Sequence, residues 1–409
     1  MDLTLIVMWL GFGLAAYSVV GNDVIQTLGT FLTSNEKRVQ WWVLWLYAGI
    51  ILLFALVNGF FDPFGWYAIE EYTYGIAYGR LDKFAMPTEY PWFYLLPPVI
   101  LLLLTRTGIP VSTTFMILTL FSLANVPGGI GEMTASIFDT DTVLGGMIKK
   151  SIFGYIIAFG SALVIYLAIT RLTEKYFIEN PIRDERVRPT YPLLAAIVFT
   201  GIALAVFTSL FTTGPASEDW LGYVIALAVG IGLPFAMSFL KQRVFWTTLQ
   251  WFTTAFLWFQ WLTQDLANIY IYLRGGEGLS TLGFWISVAI LLGLLGFIFY
   301  IRGGAVQQVV REKTNTDDIR SATFVDAIYA FLLFFFKDDL FGIWGGKVAM
   351  STTWIFIGLL AGRELGMRLN LYGKVDGVAL KMIGKDLGKI TLGLVVSVLL
   401  VFAIRLLSA

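Results

Sequence analysis

The sequence predicts an all-α polytopic membrane protein made of two inverted-topology repeats, and three observations carry that prediction. The 409 residues are 57% hydrophobic with a mean hydropathy of +0.76. That is far above soluble usage, and many apolar runs approach the roughly 20 residues that span a bilayer. Four of those runs are short and come in two adjacent pairs, as re-entrant hairpins do. Two polar motifs also occur twice in the same order, Asn22-Asp23 then Ser112-Thr113-Thr114, and Gln264-Asp265 then Ser351-Thr352-Thr353. Asp23 precedes Ser112 by 89 residues, and Asp265 precedes Ser351 by 86.

The first repeat, residues 1-172, opens with an apolar run near 3–33 that Asn22-Asp23 interrupts, so its first helix is expected to be broken. A span near 41–61 follows, then the short runs 91–105 and 110–124, joined by Arg106-Thr107-Gly108-Ile109-Pro110. An arm of about 15 residues reaches only about 22 Å, too little for a ~30 Å hydrocarbon core, so this pair reads as a re-entrant hairpin. A span near 151–170 closes the repeat. Residues 173-244 hold a charged loop, expected to be cytoplasmic, and two extra spans near 191–213 and 220–240. The second repeat, 245-409, again has a first helix (245–273) with a carboxylate motif, a span near 281–301, a short pair at 323–336 and 349–365, and a final span near 388–407. The total is about eight full spans plus two hairpins, or twelve helical segments.

A hairpin enters and leaves on one face. The second repeat therefore begins on the face opposite the first, which makes the repeats inverted. Charge tests this count independently. Nineteen of the 28 Lys and Arg fall on the face opposite the N-terminus and six on the N-terminal face, Arg80 among them. Three more, Arg106, Lys337 and Lys347, lie near hairpin tips. The positive-inside rule makes the richer face cytoplasmic and puts both termini outside. Trp41, Trp42, Trp66, Trp92, Trp220 and Trp251 lie near span ends, as interface anchors do.

Composition narrows the chemistry. Net charge is zero, so no basic surface argues for nucleic acid. The chain has neither Cys nor His, which removes thiol catalysis, disulfides, Cys/His metal sites and imidazole proton relays. Any cation site must be built of oxygens, which suits hard ions such as Na⁺. The N-terminus lacks a basic n-region and a small-residue cleavage site and reads as mature sequence. With its short loops the chain is expected in a prokaryotic inner membrane; a homodimer is left open. No nucleotide-binding motif accompanies the two Asp residues, so an enzyme is not expected, nor any cofactor beyond a coupling ion, Na⁺ or H⁺.

The duplicated motifs have a physical reading of their own. An ionised carboxylate at membrane depth costs about 2.5–3.5 kcal/mol or more, so Asp23 and Asp265 are functional candidates by default. Pro110 suits a first helical turn, which places Ser112, Thr113 and Thr114 at a helix N-terminus near the membrane centre. Free amides, the positive dipole end and hydroxyls make such a terminus an anion site. Ser351, Thr352 and Thr353 open the second inner hairpin helix in the same way. The carboxylates cannot favour an anion themselves. Their sensible role is to hold a cation whose charge offsets it. Ser and Thr in membrane helices also cap and pack, and Gly358 and Gly362 read as close helix packing. Gly128-Gly129-Ile130-Gly131 reads as a tight turn, and Glu70, Glu71, Asp139 and Asp141 as solvated loop residues. Arg106, Lys337, Asp338 and Asp339 could contact the anion or pair among themselves.

Gly21-Asn22-Asp23-Val24-Ile25-Gln26-Thr27-Leu28-Gly29-Thr30 resembles the GANDVANxxGT signature of the inorganic phosphate transporter (PiT) family. Gly108-Ile109-Pro110-Val111-Ser112-Thr113-Thr114-Phe115 resembles its G-x-PVSTTH motif, Gln264-Asp265-Leu266-Ala267-Asn268 its second NDVAN, and Met350-Ser351-Thr352-Thr353-Trp354 its second STT hairpin. The four motifs stand in family order and frame nearly the whole chain. The resemblance implies a cation-coupled oxyanion symporter. It implies cation binding by Asn22, Asp23, Gln26, Gln264, Asp265 and Asn268, with Na⁺ at Asp23, Asp265 and Asn268. It also implies that the anion is bound by Ser112, Thr113, Thr114, Ser351, Thr352 and Thr353. The sequence departs from the family where Gln26 and Gln264 replace Asn, where Phe115 and Trp354 replace two His, and where Ile269-Tyr270-Ile271-Tyr272 replaces small residues. Phosphate is the first expectation. Sulfate or a related anion, and an uncoupled channel or binding protein on the same scaffold, are the alternatives.

Overall fold

Away from water each backbone N–H and C=O must be satisfied within its own segment, so apolar runs of this length become helices. A computed structural model of the chain describes residues 3–62, 75–106, 111–123, 126, 129–169, 176–183, 185–211, 220–276, 278–303, 307, 318–337, 349–374 and 377–408. Apart from one isolated bridge between Arg186 and Lys241, all of its regular structure is helical. Seven described helical runs are long and apolar enough to cross a membrane: Leu3–Asn35, Trp41–Phe61, Ile130–Ala168, Thr190–Phe207, Thr281–Tyr300, Ile319–Lys337 and Gly377–Leu406.

The interruption of the first helix is a change of winding. Helix α1 (Leu3–Val19) passes into a π-turn over Val20–Val24 and then into α2 (Ile25–Asn35), with right-handed backbone at both junctions. A π-turn inserts extra backbone into a helix and is commonest at functional sites; here it holds Asn22 and Asp23. In the second half, α11 (Gln242–Asp265) ends on the carboxylate itself, and α12 (Ala267–Tyr270) restarts after Leu266. A 3₁₀ segment then kinks at Leu273-Arg274-Gly275, with positive φ at the last two. Helix α3 (Trp41–Phe61) packs on α13 (Thr281–Tyr300), and the extra pair α9 (Thr190–Phe211) and α10 (Trp220–Ala236) pack on each other.

The hairpins differ in length. The first has arms of 11 residues each, α4 (Leu96–Arg106) and α5 (Thr113–Leu123), about 16 Å long. Its tip, with Gly108 and Pro110, lies outside the described residues. The second has α14 (Ile319–Lys337) and α15 (Thr352–Tyr372), of 19 and 21 residues, longer than the arms the apolar runs suggest. The reason is polar. Asp318 accepts from the backbone N–H of Arg320 (2.9 Å), which starts α14 ahead of the apolar run. Helix α15 continues past it through Arg363, Glu364 and Arg368, the last two joined in an i,i+4 ion pair. The facing ends of the pair still lie within the protein. Lys337 Nζ donates to Thr263 Oγ1 (3.0 Å) and Gln264 Nε2 to the Met350 carbonyl (3.4 Å), so α14 ends and α15 begins at the depth of Asp265. Asp338, Asp339 and Lys347 lie outside the described residues.

Helix α15 lies along α7 (Val143–Ile169) on a glycine ridge. A Cβ at Gly358, Gly362 or Gly366 would stand 2.5, 2.1 or 3.0 Å from the carbonyl oxygens of Tyr155, Phe159 and Leu163. Small residues every four positions bring two membrane helices to backbone contact, as expected for Gly358 and Gly362. Helix α16 (Gly377–Ser408) packs against α5 and α15.

Three expectations need correction. Arg80 is buried, not in an external loop: Gly59 lets the 75–84 turn tuck against α3, and Arg80 Nη1 donates to the Lys337 carbonyl (2.8 Å). A guanidinium at the C-terminal end of α14 is favoured there by the helix dipole. Gly129 does not merely turn; it caps a short helix, α6 (Ile130–Phe138), with Glu132 reaching back to its N–H (2.9 Å). Trp251 faces inward, where its indole donates to Asn35 Oδ1 (3.2 Å). Asp139 and Asp141 are exposed, as expected, and Glu70, Glu71 and Trp66 lie outside the described residues.

Candidate functional site

The two carboxylates meet at the N-terminus of α5. The π-turn puts Asn22 and Asp23 side by side, and the Asn22 amide donates to Asp23 Oδ1 (2.6 Å) and to the Val111 carbonyl (2.7 Å). Thr113, the first residue of α5, donates its hydroxyl to the other Asp23 oxygen. Thr114 donates to Asp265 Oδ1 (3.2 Å) and approaches the Met350 carbonyl (3.3 Å). Asn268, one turn beyond Asp265, closes the ring: its Nδ2 donates to Asp265 Oδ1 (2.8 Å) and points at Thr114 Oγ1 (3.1 Å) and Thr113 Oγ1 (3.3 Å). A continuous chain Asp23–Thr113–Asn268–Asp265 thus ties the two halves of the sequence to one hairpin helix. Asp23 is 1% and Asp265 0% exposed.

Ser112 and Ser351 have equivalent places. Each is the N-cap of its inner hairpin helix, accepting from the backbone N–H three residues on, Phe115 (3.2 Å) and Trp354 (3.4 Å). Capping leaves each hydroxyl proton able to donate elsewhere. The Ser351 N–H itself donates to Ser151 Oγ (2.9 Å). Thr352 lies beside Asp265, its carbonyl held by the Tyr329 hydroxyl (3.2 Å), and Thr353 is buried in the same first turn. Gln26 is buried one turn from Asp23, and its Nε2 has no partner among the described residues. Phe115 and Trp354 meet edge to face with centroids 6.0 Å apart, an apolar contact between the two hairpins.

Four buried oxygens of this cluster accept no hydrogen bond among the described residues: Asn22 Oδ1, Gln264 Oε1, Asp265 Oδ2 and Asn268 Oδ1. The amide orientations of Asn22 and Asn268 are set by the acceptors their nitrogens meet, so each must turn its oxygen away from them. Buried acceptors without donors cost about 1–3 kcal/mol each, and two buried carboxylates add charge of one sign. A buried, oxygen-rich cluster with two carboxylates suits a hard cation.

The surroundings differ on the two sides of the cluster. Along α2, Thr30 and, from α11, Thr254 (2.8 Å) both donate to Asp326, a buried carboxylate on α14. Further on, Gln307 donates to Thr33 Oγ1 (2.7 Å), and Gln250 joins Ser34 and Asn35 (2.7 Å each). On the other side, Tyr272 donates to the Tyr94 carbonyl (2.9 Å) and Tyr90 to the Ile271 carbonyl (3.1 Å). Phe121 stands edge to face on Tyr272 at 5.3 Å. Asp326 was not among the expected site residues. The criterion that singled out Asp23, a carboxylate inside an apolar run, would have found it. The side chain of Arg106 lies outside the described residues.

No model of a known protein family matches the chain, and no curated protein matches it. A solved structure titled "The sodium-dependent phosphate transporter" is similar over 99% of this chain and 97% of its own, at a TM-score of 0.59 and 18% identity. At that identity the likeness is one of fold. From end to end the chain shares the all-helical membrane fold of that transporter.

Proposed function

We propose that the chain is a secondary active symporter that couples an inorganic oxyanion, phosphate first, to Na⁺, with alternating access around the Asp23–Asp265 cluster and the basic face in the cytoplasm. The observation that carries this reading is the set of four donor-less oxygens beside two buried carboxylates, directly under the N-termini of α5 and α15. Cations fit the oxygens, and an anion fits the helix termini. The neighbour's title names sodium and phosphate, which supports the same pair of solutes.

The hydrogen bonds imply an order of binding. Thr113 and Thr114 each have one hydroxyl proton, and both now point at carboxylates. An anion arriving first would meet two carboxylates, with the Thr113 and Thr114 hydroxyls already committed to them. Cations arriving first would neutralise the carboxylates and release both hydroxyls toward the anion. Phosphate affinity should therefore rise steeply with Na⁺. The polar side chains around Asp326 mark the side on which a route toward the basic face would have to open, since they are as buried here as the tyrosine cluster opposite.

The test is uptake of radiolabelled phosphate, and separately sulfate, into proteoliposomes with and without an inward sodium gradient. Accumulation of phosphate above equilibrium only with sodium is the expected result. Accumulation of sulfate in its place would reassign the substrate, and passive equilibration of either anion regardless of sodium would make the protein a channel.

A further inference from the structure

A cleft of about 410 Å³ opens on the basic face where α2 ends, α3 begins and α13 ends. Its rim carries Lys37, Arg38 and Arg302 against a single carboxylate, Glu36, with the indoles of Trp41 and Trp42 beside them. The three cations and both indoles are exposed. Arg302 adopts a positive φ of 53°, which ends α13 and turns the chain back at the cleft. Just inside, Trp41 stands edge to face on Tyr300 at 5.4 Å. Deeper still, α3 exposes Leu46 and Ile50 and the adjacent α13 exposes Phe297. From water inward the surface therefore reads cations, then indoles, then apolar side chains.

We propose that this cleft binds the headgroup of an anionic phospholipid from the adjoining leaflet, with its acyl chains lying along α3 and α13. The order of surface chemistry is that of a lipid molecule. A net-negative phosphodiester meets more cations than acids. The glycerol region lies at the level of the indoles, which favour the interface, and the acyl chains meet aliphatic surface. A zwitterionic lipid brings its own cation toward Lys37, Arg38 and Arg302 and gains less. A free anion could use the cations but has no use for the apolar surface continuous with them. The inference does not rest on the transport reading, since the cleft shares no residue with the Asp23–Asp265 cluster.

The experiment is native mass spectrometry of the full chain in detergent, titrated with phosphatidylglycerol and, separately, phosphatidylcholine. The wild type should retain phosphatidylglycerol with about tenfold preference, and R38Q/R302Q should bring that preference to near parity. K381Q/K385Q, exposed lysines elsewhere on the basic face, should leave it unchanged. All these side chains are exposed, so the thermal midpoint in phosphatidylcholine should be common to the three proteins. Undiminished preference in R38Q/R302Q would overturn the proposal. Equal loss in K381Q/K385Q would also overturn it, by showing diffuse attraction without a site. Displacement of phosphatidylglycerol by millimolar inorganic phosphate would overturn the lipid assignment in favour of a free anion.

Discussion

Four and seven residues after Asp23 the chain has Thr27 and Thr30; four and seven residues after Asp265 it has Ile269 and Tyr272. The two carboxylates share one helix N-terminus, that of α5, and one hydrogen-bonded chain, yet the segments that lead away from them have opposite characters. Helix α2 continues with hydroxyls and amides that meet Asp326, Gln307 and Gln250. The segment after Asp265 continues with rings that lock onto Tyr90, Tyr94 and Phe121. The duplicated residues form the shared cluster, and the residues that are not duplicated give its two sides different surroundings, polar on one and aromatic on the other.

The strongest way to break this comparison is at its shared part. Asp23→Asn and Asp265→Asn should each lower sodium-driven phosphate uptake by about 100-fold, the upper end for loss of a metal-site partner. Both variants should elute as folded protein on size exclusion. Wild-type uptake in either one would remove that carboxylate from coupling.

The next effects concern the ringed side. The Tyr272 ring fits because Gly11 has no side chain: a Cβ there would stand 2.3 Å from Tyr272 Cδ1. Gly11→Ala should cost about 1–3 kcal/mol through overpacking and lower the thermal midpoint. Gly13→Ala on the same helix, where a Cβ meets nothing within 4 Å, is the control and should not destabilise. Equal midpoints for the two variants would mean that the ring is loosely held.

On the polar side, Thr30→Val leaves one Asp326 oxygen without its donor, at a cost of about 1–3 kcal/mol. Its counterpart Tyr272→Phe removes one hydroxyl-to-carbonyl bond and should cost about 1 kcal/mol. Chemical denaturation of the pair sharpens the contrast, and the reverse order would argue that Asp326 has a further donor. The smallest change expected is at Gln26, whose Nε2 has no partner among the described residues. Gln26→Asn should move the sodium half-saturation of uptake by a few-fold, and no movement at all would place Gln26 outside the cation site.

Much of this was legible in the chain itself. Hydropathy and length delimit the helices because a bilayer constrains the backbone one segment at a time. The doubled Asn/Gln-Asp and Ser-Thr-Thr motifs marked the residues that form the central cluster, because polar groups are costly in such surroundings whatever they touch. Gly358 and Gly362 read as packing positions because a four-residue spacing lies along one helix face.

Other features belong to the tertiary structure. That Thr114 reaches Asp265 across 151 positions, and that Asn268 bridges both halves, depends on where the N-terminus of α5 comes to rest. Arg80 reads as a loop cation from sequence and is a buried helix cap in the fold, since the 75–84 turn can enter only because Gly59 is small. The second hairpin outgrew its apolar run because charged residues continued its helices beyond it. By itself the sequence determined the helices, their doubling and the residue types at the centre, all of which follow from local energetics in an apolar solvent. Only the tertiary structure decided which oxygens lack donors and which side chains surround them. Those depend on contacts between segments far apart in the chain, and no local preference encodes them.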